Sequence, residues 1–228
     1  MNERRKAKFE EVASKSQLSL TVILENVHDV LNIGAILRSC DSVGIRNIFV
    51  INNSGLKQHK SLTLGKRSSM GTRKWVDVRY FHDLDTCIEE VRKDYDVIAG
   101  AAICEKTISY LDFDYTGKVA ILMGNEKEGL SKAALDHCDV LIRIPQVGMA
   151  ESLNVSTATA VILYEAFRQR LVAGKYDHLP DISEGQANEL LHRLHEKVFD
   201  KTKSTKNTRS RLKNSKIMHP KNQSSMLR

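Results

Sequence analysis

The sequence of 228 residues lacks the features that mark several common protein classes. It has no run of 18 apolar residues, so nothing predicts a membrane span. Its first residues (MNERRK) are charged and do not form the apolar core of a signal peptide, so we expect a cytoplasmic protein. It has neither a Gly-x-Gly-x-x-Gly motif after a strand nor a Walker lysine motif, which excludes the usual phosphate-binding turns.

Cysteine is scarce and scattered. The four cysteines form no Cys-x-x-Cys pair and stand among apolar neighbours, which favours buried free thiols over zinc ligands or disulfides. They are Cys40, Cys87, Cys104 and Cys138. His192 and His195 stand three residues apart on an expected helix without further ligands nearby, which favours a solvated face over half a metal site. We therefore expect no metal.

The positive charge is concentrated at one end of the sequence. The formal net charge is +7, yet residues 201–228 hold nine lysines and arginines and no acidic residue, while residues 1–200 hold 26 basic and 28 acidic residues. A segment rich in Lys, Arg, Ser, Thr and Asn buries too little apolar surface to fold alone. We expect a basic, disordered tail that either attracts phosphates or only raises solubility.

Short apolar runs rich in β-branched residues recur along the sequence. Most do not alternate with polar residues, as is typical of strands buried on both faces of a parallel sheet. They lie at residues 21–24, 48–51, 75–78, 97–99, 119–123 and 140–144. Helical patterns near residues 33–40 and 87–91 separate several of them. Strands that alternate with helices predict the α/β class.

Further helices are expected at both ends of this region. Residues 2–15 place Phe9 and Val12 on one face, a long helix from about residue 154 to 173 can end at Gly174, and Ser183 can cap a helix over residues 182–198. We divide the chain into an N-terminal helix (1–17), an α/β domain (18–174), a C-terminal helix (175–200) and the tail (201–228).

The first of three segments that can carry chemistry is residues 32–39 (NIGAILRS). Asn32 can cap a helix, and Gly34 lets another backbone approach closely. Arg38 is expected on the side of the helix opposite its apolar face, where its planar, permanent cation suits a phosphate. Alone, it could equally be a surface arginine near Asp41.

The second segment is residues 122–130 (LMGNEKEGL), where an apolar run ends in Gly-Asn-Glu and turns at Gly129 towards a helix beginning near Ser131. Ligands of open α/β sheets gather at the carboxyl ends of the strands. Glu126 can there accept hydrogen bonds from a ligand or orient a cation. An ordinary strand-to-helix turn is the other interpretation.

The third segment is residues 144–158 (IPQVGMAESLNVSTA), a strand end followed by a loop and a helix start. Ser152 and Asn154 are residue types that cap helices, which would explain them without any function. The small residues that follow let the helix pack closely against another backbone.

Together and in this order, the three segments resemble the motifs Asn-x-Gly-x-x-x-Arg, Gly-x-Glu-x-x-Gly and Ser-Leu-Asn-Val-Ser of the SpoU branch of the SPOUT methyltransferases. The match covers roughly residues 18–172. Residues 20–28 and 163–170, with the short terminal helices, are similar to the TrmH group of that family, which methylates the ribose of guanosine 18 in the tRNA D-loop. The resemblance implies a C-terminal trefoil knot, a rare exception to unknotted chains, and a homodimer with its active site at the interface.

The resemblance also implies roles for individual residues. Arg38 matches the catalytic arginine, and Asn32 matches the asparagine that holds it in place. The remaining polar site residues are Glu126, Ser152 and Asn154. The cofactor, S-adenosylmethionine, is held mainly through backbone groups at Ala101, Leu122, Gly124, Ile144 and Leu153. Positions linked to tRNA binding, by contacts that orient RNA without reading its sequence, are Arg5, Lys8, Arg168 and Arg170.

The implied reaction is 2′-O-methylation, in which a group must accept the proton of a weakly acidic ribose hydroxyl. Arginine is permanently charged, which favours Arg38 binding the adjoining phosphate over Arg38 acting as the base. Leu31 and Ala101 depart from the histidine and threonine common in the TrmH group and leave the target open. The alternatives are a 2′-O-methyltransferase of ribosomal RNA or of another tRNA position, and an RNA-binding protein without catalysis.

Overall fold

A parallel β-sheet forms the centre of the protein. The computed structural model describes residues 3–53, 74–177 and 181–197; the expected tail lies outside these residues. Within them the strands are β1 (Leu20–Glu25), β2 (Asn47–Ile51), β3 (Asp77–Phe81), β4 (Val97–Ala101), β5 (Ile108–Ser109), β6 (Val119–Met123) and β7 (Val140–Arg143). Their order in the sheet is β3-β2-β1-β6-β4-β7-β5, and every pairing is parallel. The predicted α/β class with a parallel sheet is confirmed.

Helices cover the sheet, and further helices lie at both ends of the described chain. They are α1 (Glu3–Ser14), α2 (Val30–Ser42), α3 (Leu84–Val91), α4 (Lys132–Asp136), α5 (Val155–Val172) and α6 (residues 184–197). Asn154 caps α5 as its residue type allows, by accepting a hydrogen bond from the backbone N–H of Ser156. The helix cap expected at Asn32 is wrong, because α2 begins earlier and Asp29 caps it by accepting from the backbone N–H of Leu31.

The two faces of the sheet bury separate apolar clusters. Successive side chains of a strand point to opposite faces, so Val22 and Leu24 of β1 join the cluster under α2 and α5, whereas Ile23 joins the one under α3 and α4. All six residues of β1 are buried. The continuous apolar runs in the sequence therefore mark strands covered on both faces, as predicted.

A third, smaller cluster joins the two ends of the described chain. The Phe9 ring of α1 lies 5.6 Å from the Trp75 ring and 5.5 Å from that of His195 in α6. The prediction of a solvated face is therefore wrong for His195, because its Nε2 atom is buried. It holds for His192, which is exposed and lies 3.7 Å from Glu196.

Two further expectations need correction. The strand expected at residues 75–78 runs over Asp77–Phe81, because this strand is only partly buried and its polar residues hide it from an apolar pattern. The cysteines are free as expected, but Cys104 is exposed and only Cys40 and Cys87 are fully buried. Cys104 lies in the connection between β4 and β5, beyond the layers that bury the other thiols.

Candidate active site

A cleft opens at the carboxyl ends of β4, β6 and β7, where open α/β sheets bind their ligands. Its volume is about 440 Å³, within the usual range for small-molecule sites. Its apolar lining residues include Met123, Leu130, Leu135, Ile142, Val155, Ala158 and Ile162. Its charged lining residues are Glu126, Lys127, Glu128, Arg143 and Glu151. The cleft therefore suits a ligand with one apolar part and one polar, charged part.

The loop of residues 124–130, which we call the cofactor loop, forms one side of the cleft. A Cβ atom on Gly124 would lie 2.2 Å from the backbone carbon of Gly129, so the first position must be glycine. Gly129 itself has a φ of 70°, which favours glycine. The backbone groups of Asn125 and Gly129 exchange hydrogen bonds of 2.9 and 3.0 Å. The glycines of the second motif thus close a tight, self-paired loop.

Three side chains from three distant parts of the sequence form a hydrogen-bonded chain. The Asn32 Nδ2 of α2 donates to Glu126 Oε1 of the cofactor loop at 2.6 Å. The Nδ2 of Asn154, at the start of α5, donates to Asn32 Oδ1 at 3.2 Å. The first, second and third motifs therefore meet at one point, next to the cleft.

Comparison with known proteins agrees with this geometry. Residues 19–164 match the model of the SpoU rRNA Methylase family, which covers more than half of the chain. The chain belongs to the SpoU methylase family. A tRNA (guanosine(18)-2′-O)-methyltransferase of Thermus thermophilus is 42% identical over 175 residues, which is 77% of this chain and 88% of the relative.

Two solved structures resemble this SpoU-family fold. The TrmH/SpoU tRNA modifying enzyme of Aquifex aeolicus has a TM-score of 0.77 and 32% identity, over 86% of this chain and 98% of that chain. The SpoU methyltransferase AviRb of Streptomyces viridochromogenes, in complex with the cofactor AdoMet, has a TM-score of 0.60 and 30% identity, over 67% and 60%. The family and its cofactor thus agree with the motifs.

Not all of the predicted cofactor positions line the cleft. Four of them line the cleft: Ala101, Gly124, Ile144 and Leu153. Leu122 lies inside β6, fully buried and paired with Ile23 and Gly100 of the neighbouring strands, and it is not among the lining residues. The cleft begins at the next residue, Met123, which ends this strand.

The predicted polar residues also differ in their contacts. Glu126 and Ser152 line the cleft, Asn32 donates a hydrogen bond to Glu126, and Asn154 donates one to Asn32. Arg38 is exposed on α2, opposite the buried Ile36, and its guanidinium forms no hydrogen bond or ion pair among the residues that the structure describes. The nearby acid Asp41 pairs instead with Arg46. Arg38 is therefore available to a ligand.

The basic residues expected to contact RNA occupy different environments. Arg5 lies 5.6 Å from the centre of the Phe9 ring, Lys8 donates to Glu11 at 2.9 Å, and the exposed Arg168 forms an ion pair with Glu165. A phosphate contact for Arg170 is wrong, because its side chain has no exposed surface. Its guanidinium is used internally, with bonds to Tyr115 O, Gln17 Oε1, Ser19 Oγ and O, and Gly117 O.

Two residues at the end of β1 escaped the motif-based analysis. Glu25 is 1% exposed, and its carboxylate accepts hydrogen bonds from both the N–H and the hydroxyl of Ser131. The carbonyl of Asn26 accepts one from Asn125 Nδ2 at 2.8 Å. A glutamate that ends an otherwise apolar strand was the available signal, but its partner lies 106 residues away.

Metal ligands and membrane helices are not evident in the described ranges. No group of three or more His, Cys, Asp or Glu side chains there could hold a metal ion. No helix in those ranges is both long and apolar enough to cross a membrane.

Proposed function

We propose that this protein transfers a methyl group from S-adenosylmethionine to the ribose 2′-hydroxyl of guanosine 18 in the D-loop of tRNA. The observation that carries the proposal is the hydrogen-bonded chain of Asn32, Glu126 and Asn154 beside a cleft at the carboxyl edge of the sheet. The Thermus thermophilus relative bears the name of that activity and aligns over most of both chains.

The cleft fits S-adenosylmethionine, which combines the flat apolar faces of an adenine ring with a charged methionine part. Backbone groups at Ala101, Gly124, Ile144 and Leu153 would hold the cofactor. Because S-adenosylmethionine carries no phosphate, its site at the carboxyl edge of the sheet needs no phosphate-binding turn. The bound cofactor would supply an activated methyl group, because its sulfonium sulfur is a good leaving group. The task left to the protein is to align the ribose and to provide for its proton.

Arg38 would bind the phosphate next to the target ribose, and that phosphate would take up the hydroxyl proton. The arginine is unsuited to act as the base because it stays charged, whereas a phosphate held by it lies next to the reacting oxygen. Asn32, fixed between Glu126 and Asn154, would orient the site without titrating. Ser152, on the wall of the cleft, completes the set of polar residues.

The active site would be completed by a second copy of the chain. Arg38 follows Asn32 by six residues, which on a helix is a rise of about 9 Å and a rotation of about 240°, so the two side chains face different directions. The α2 and α5 helices pack together and carry large exposed apolar side chains, with Leu31 64%, Tyr164 53% and Val172 79% exposed. Such a face favours a partner that covers it and brings its own Arg38 towards the cleft.

The RNA would be held by the exposed basic residues of two helices. Arg5 and Lys8 lie on α1, and Arg168 lies on α5. Phosphate contacts of this kind position an RNA and weaken as salt rises. The division into an N-terminal helix, an α/β domain and a C-terminal helix stays part of this proposal, since α1 and α6 share their own apolar cluster.

A trefoil knot is proposed for the C-terminal half of the α/β domain. In the sheet β7 lies between β4 and β5, two strands that precede it and are joined by residues 102–107. A later strand that lies between two earlier, directly connected strands is compatible with a knotted chain, which supports the proposal.

The proposal is tested with labelled S-adenosylmethionine and unmodified tRNA transcripts, followed by mapping of the methylated nucleotide. We expect label at the 2′-oxygen of guanosine 18, and none in a transcript carrying 2′-deoxyguanosine there. Arg38→Ala should lower kcat by about a hundredfold or more, the scale of lost proton-transfer assistance. A wild-type protein that binds no cofactor and methylates no RNA would refute the proposed enzymatic activity.

A second candidate substrate is ribosomal RNA. The matched family model is described as one of rRNA methylases, and phosphate contacts through α1 would serve either RNA. Label that enters ribosomal RNA and not tRNA in the same assay would keep the chemistry and replace the substrate.

A further inference from the structure

We infer that Glu25 is a positioning residue that fixes the cofactor loop and thereby sets the affinity for S-adenosylmethionine. The inference rests on the proposed function, because it concerns the same cleft. It assigns to the end of β1 a role that the three motifs do not contain.

The contacts of Glu25 are directed at one residue, Ser131, which directly follows the loop. Oε2 accepts from the backbone N–H of Ser131 at 2.9 Å, and Oε1 accepts from its hydroxyl at 2.6 Å. The same hydroxyl accepts from the backbone N–H of Ala134 at 3.1 Å, so Ser131 also caps α4. Glu25 therefore fixes the point at which the loop becomes a helix.

The next residue, Asn26, holds the opposite end of the loop. Its carbonyl accepts from Asn125 Nδ2 at 2.8 Å, and Asn125 Oδ1 in turn accepts from the backbone N–H of Lys127 at 2.9 Å. Asn26 has a φ of 53°, a left-handed conformation held by side-chain hydrogen bonds with Asn53. The last residue of β1 and the residue that follows it thus hold the two ends of the cofactor loop.

The position of this loop affects the cleft in two ways. Gly124 and Leu130 form part of its wall, and Glu126 reaches from the loop to Asn32. A loop released at Ser131 moves the wall and the Asn32 contact together. Displacements of about 1 Å at such groups have large effects on binding and rate.

Glu25 is an unusual residue for a purely structural contact. No Lys, Arg or His lies within ion-pair distance of it among residues 3–53, 74–177 and 181–197. Burying a charge without a cation is costly unless hydrogen bonds compensate for it, and here both bonds come from Ser131, the residue that follows the loop. The carboxylate is therefore stabilised only when Ser131, and with it the end of the loop, is in place.

The test compares Glu25→Gln with Asp181→Asn in the full-length protein. Asp181 is a matched control, because it is 3% exposed and also accepts from the N–H and the hydroxyl of one serine, Ser19. Calorimetric titration with S-adenosylmethionine and steady-state kinetics with tRNA are measured for each, together with thermal unfolding. Glu25→Gln should raise the Kd and the KM for S-adenosylmethionine about tenfold, while the KM for tRNA stays within about twofold.

A second variant guards against a folding defect. Ser131→Ala removes the hydroxyl and keeps the backbone N–H, and it should weaken cofactor binding in the same direction. The double variant should bind no more weakly than Glu25→Gln alone, because both changes release the same contact. A Kd unchanged in both single variants, or changed no more than in Asp181→Asn, overturns the inference while an active wild type keeps the proposed function. A wild type that binds no S-adenosylmethionine overturns both.

Discussion

The two ends of β1 carry the same local arrangement in different settings. At the amino end, Asp181 accepts from the N–H and hydroxyl of Ser19; at the carboxyl end, Glu25 accepts from the N–H and hydroxyl of Ser131. Asp181 lies 3.5 Å from the buried guanidinium of Arg170 and 3.6 Å from Lys175. Glu25 has no such cation among the described residues.

This difference in nearby cations indicates that one contact serves the stability of the fold and the other serves ligand binding. The amino end lies on the side of the sheet away from the cleft, and there a charged network ties Ser19 and Gln17 to α5 and to the segment that follows it. The carboxyl end lies beside the end of β6, which borders the cleft, and there the hydrogen bonds hold the cofactor loop. Ligands gather at the carboxyl edges of parallel sheets, so the same contact serves stability at one end and the site at the other.

The largest expected effect is on stability at the amino end. Burial lowers the pKa of Arg170, and the carboxylate of Asp181 opposes that shift. Asp181→Asn leaves the buried guanidinium without its close counter-charge, and breaking a buried pair in this way costs about 3–5 kcal/mol. Urea denaturation should show this loss. An unfolding free energy equal to that of the wild type would mean that the network does not stabilise the fold.

A smaller effect distinguishes two arginines on the same helix. Arg170→Lys keeps the charge but replaces five directed donors with three on a compact group, and we expect a loss of about 2 kcal/mol in unfolding free energy. Arg168→Lys, at an exposed ion pair, should change stability by less than about 1 kcal/mol. Its effect should appear in the KM for tRNA instead. The reverse ranking would contradict the assignment of Arg170 to the interior.

The sequence predicted which polar residues meet better than it predicted which basic residues are exposed. Asn32, Glu126 and Asn154 meet as the three motifs imply, because each motif stands at the end of a strand or the start of a helix on one edge of the sheet. Arg170 was misassigned, because a charge two residues from the exposed Arg168 gives no sign of burial. The partner of Glu25 could not be predicted either, since local patterns do not reveal a contact with Ser131.

The smallest expected effect is on the labelling of a thiol that reports whether the cofactor occupies the cleft. Cys104 is exposed and lines the cleft, whereas burial raises the pKa of Cys40 and keeps that thiol unreactive. A thiol reagent should label Cys104 first, and S-adenosylmethionine should slow that labelling severalfold in the wild type and in Asp181→Asn. In Glu25→Gln the same cofactor concentration should protect less. Mass spectrometry of the labelled peptides measures the rates, and equal protection in all three proteins would remove the functional difference between the two ends of β1.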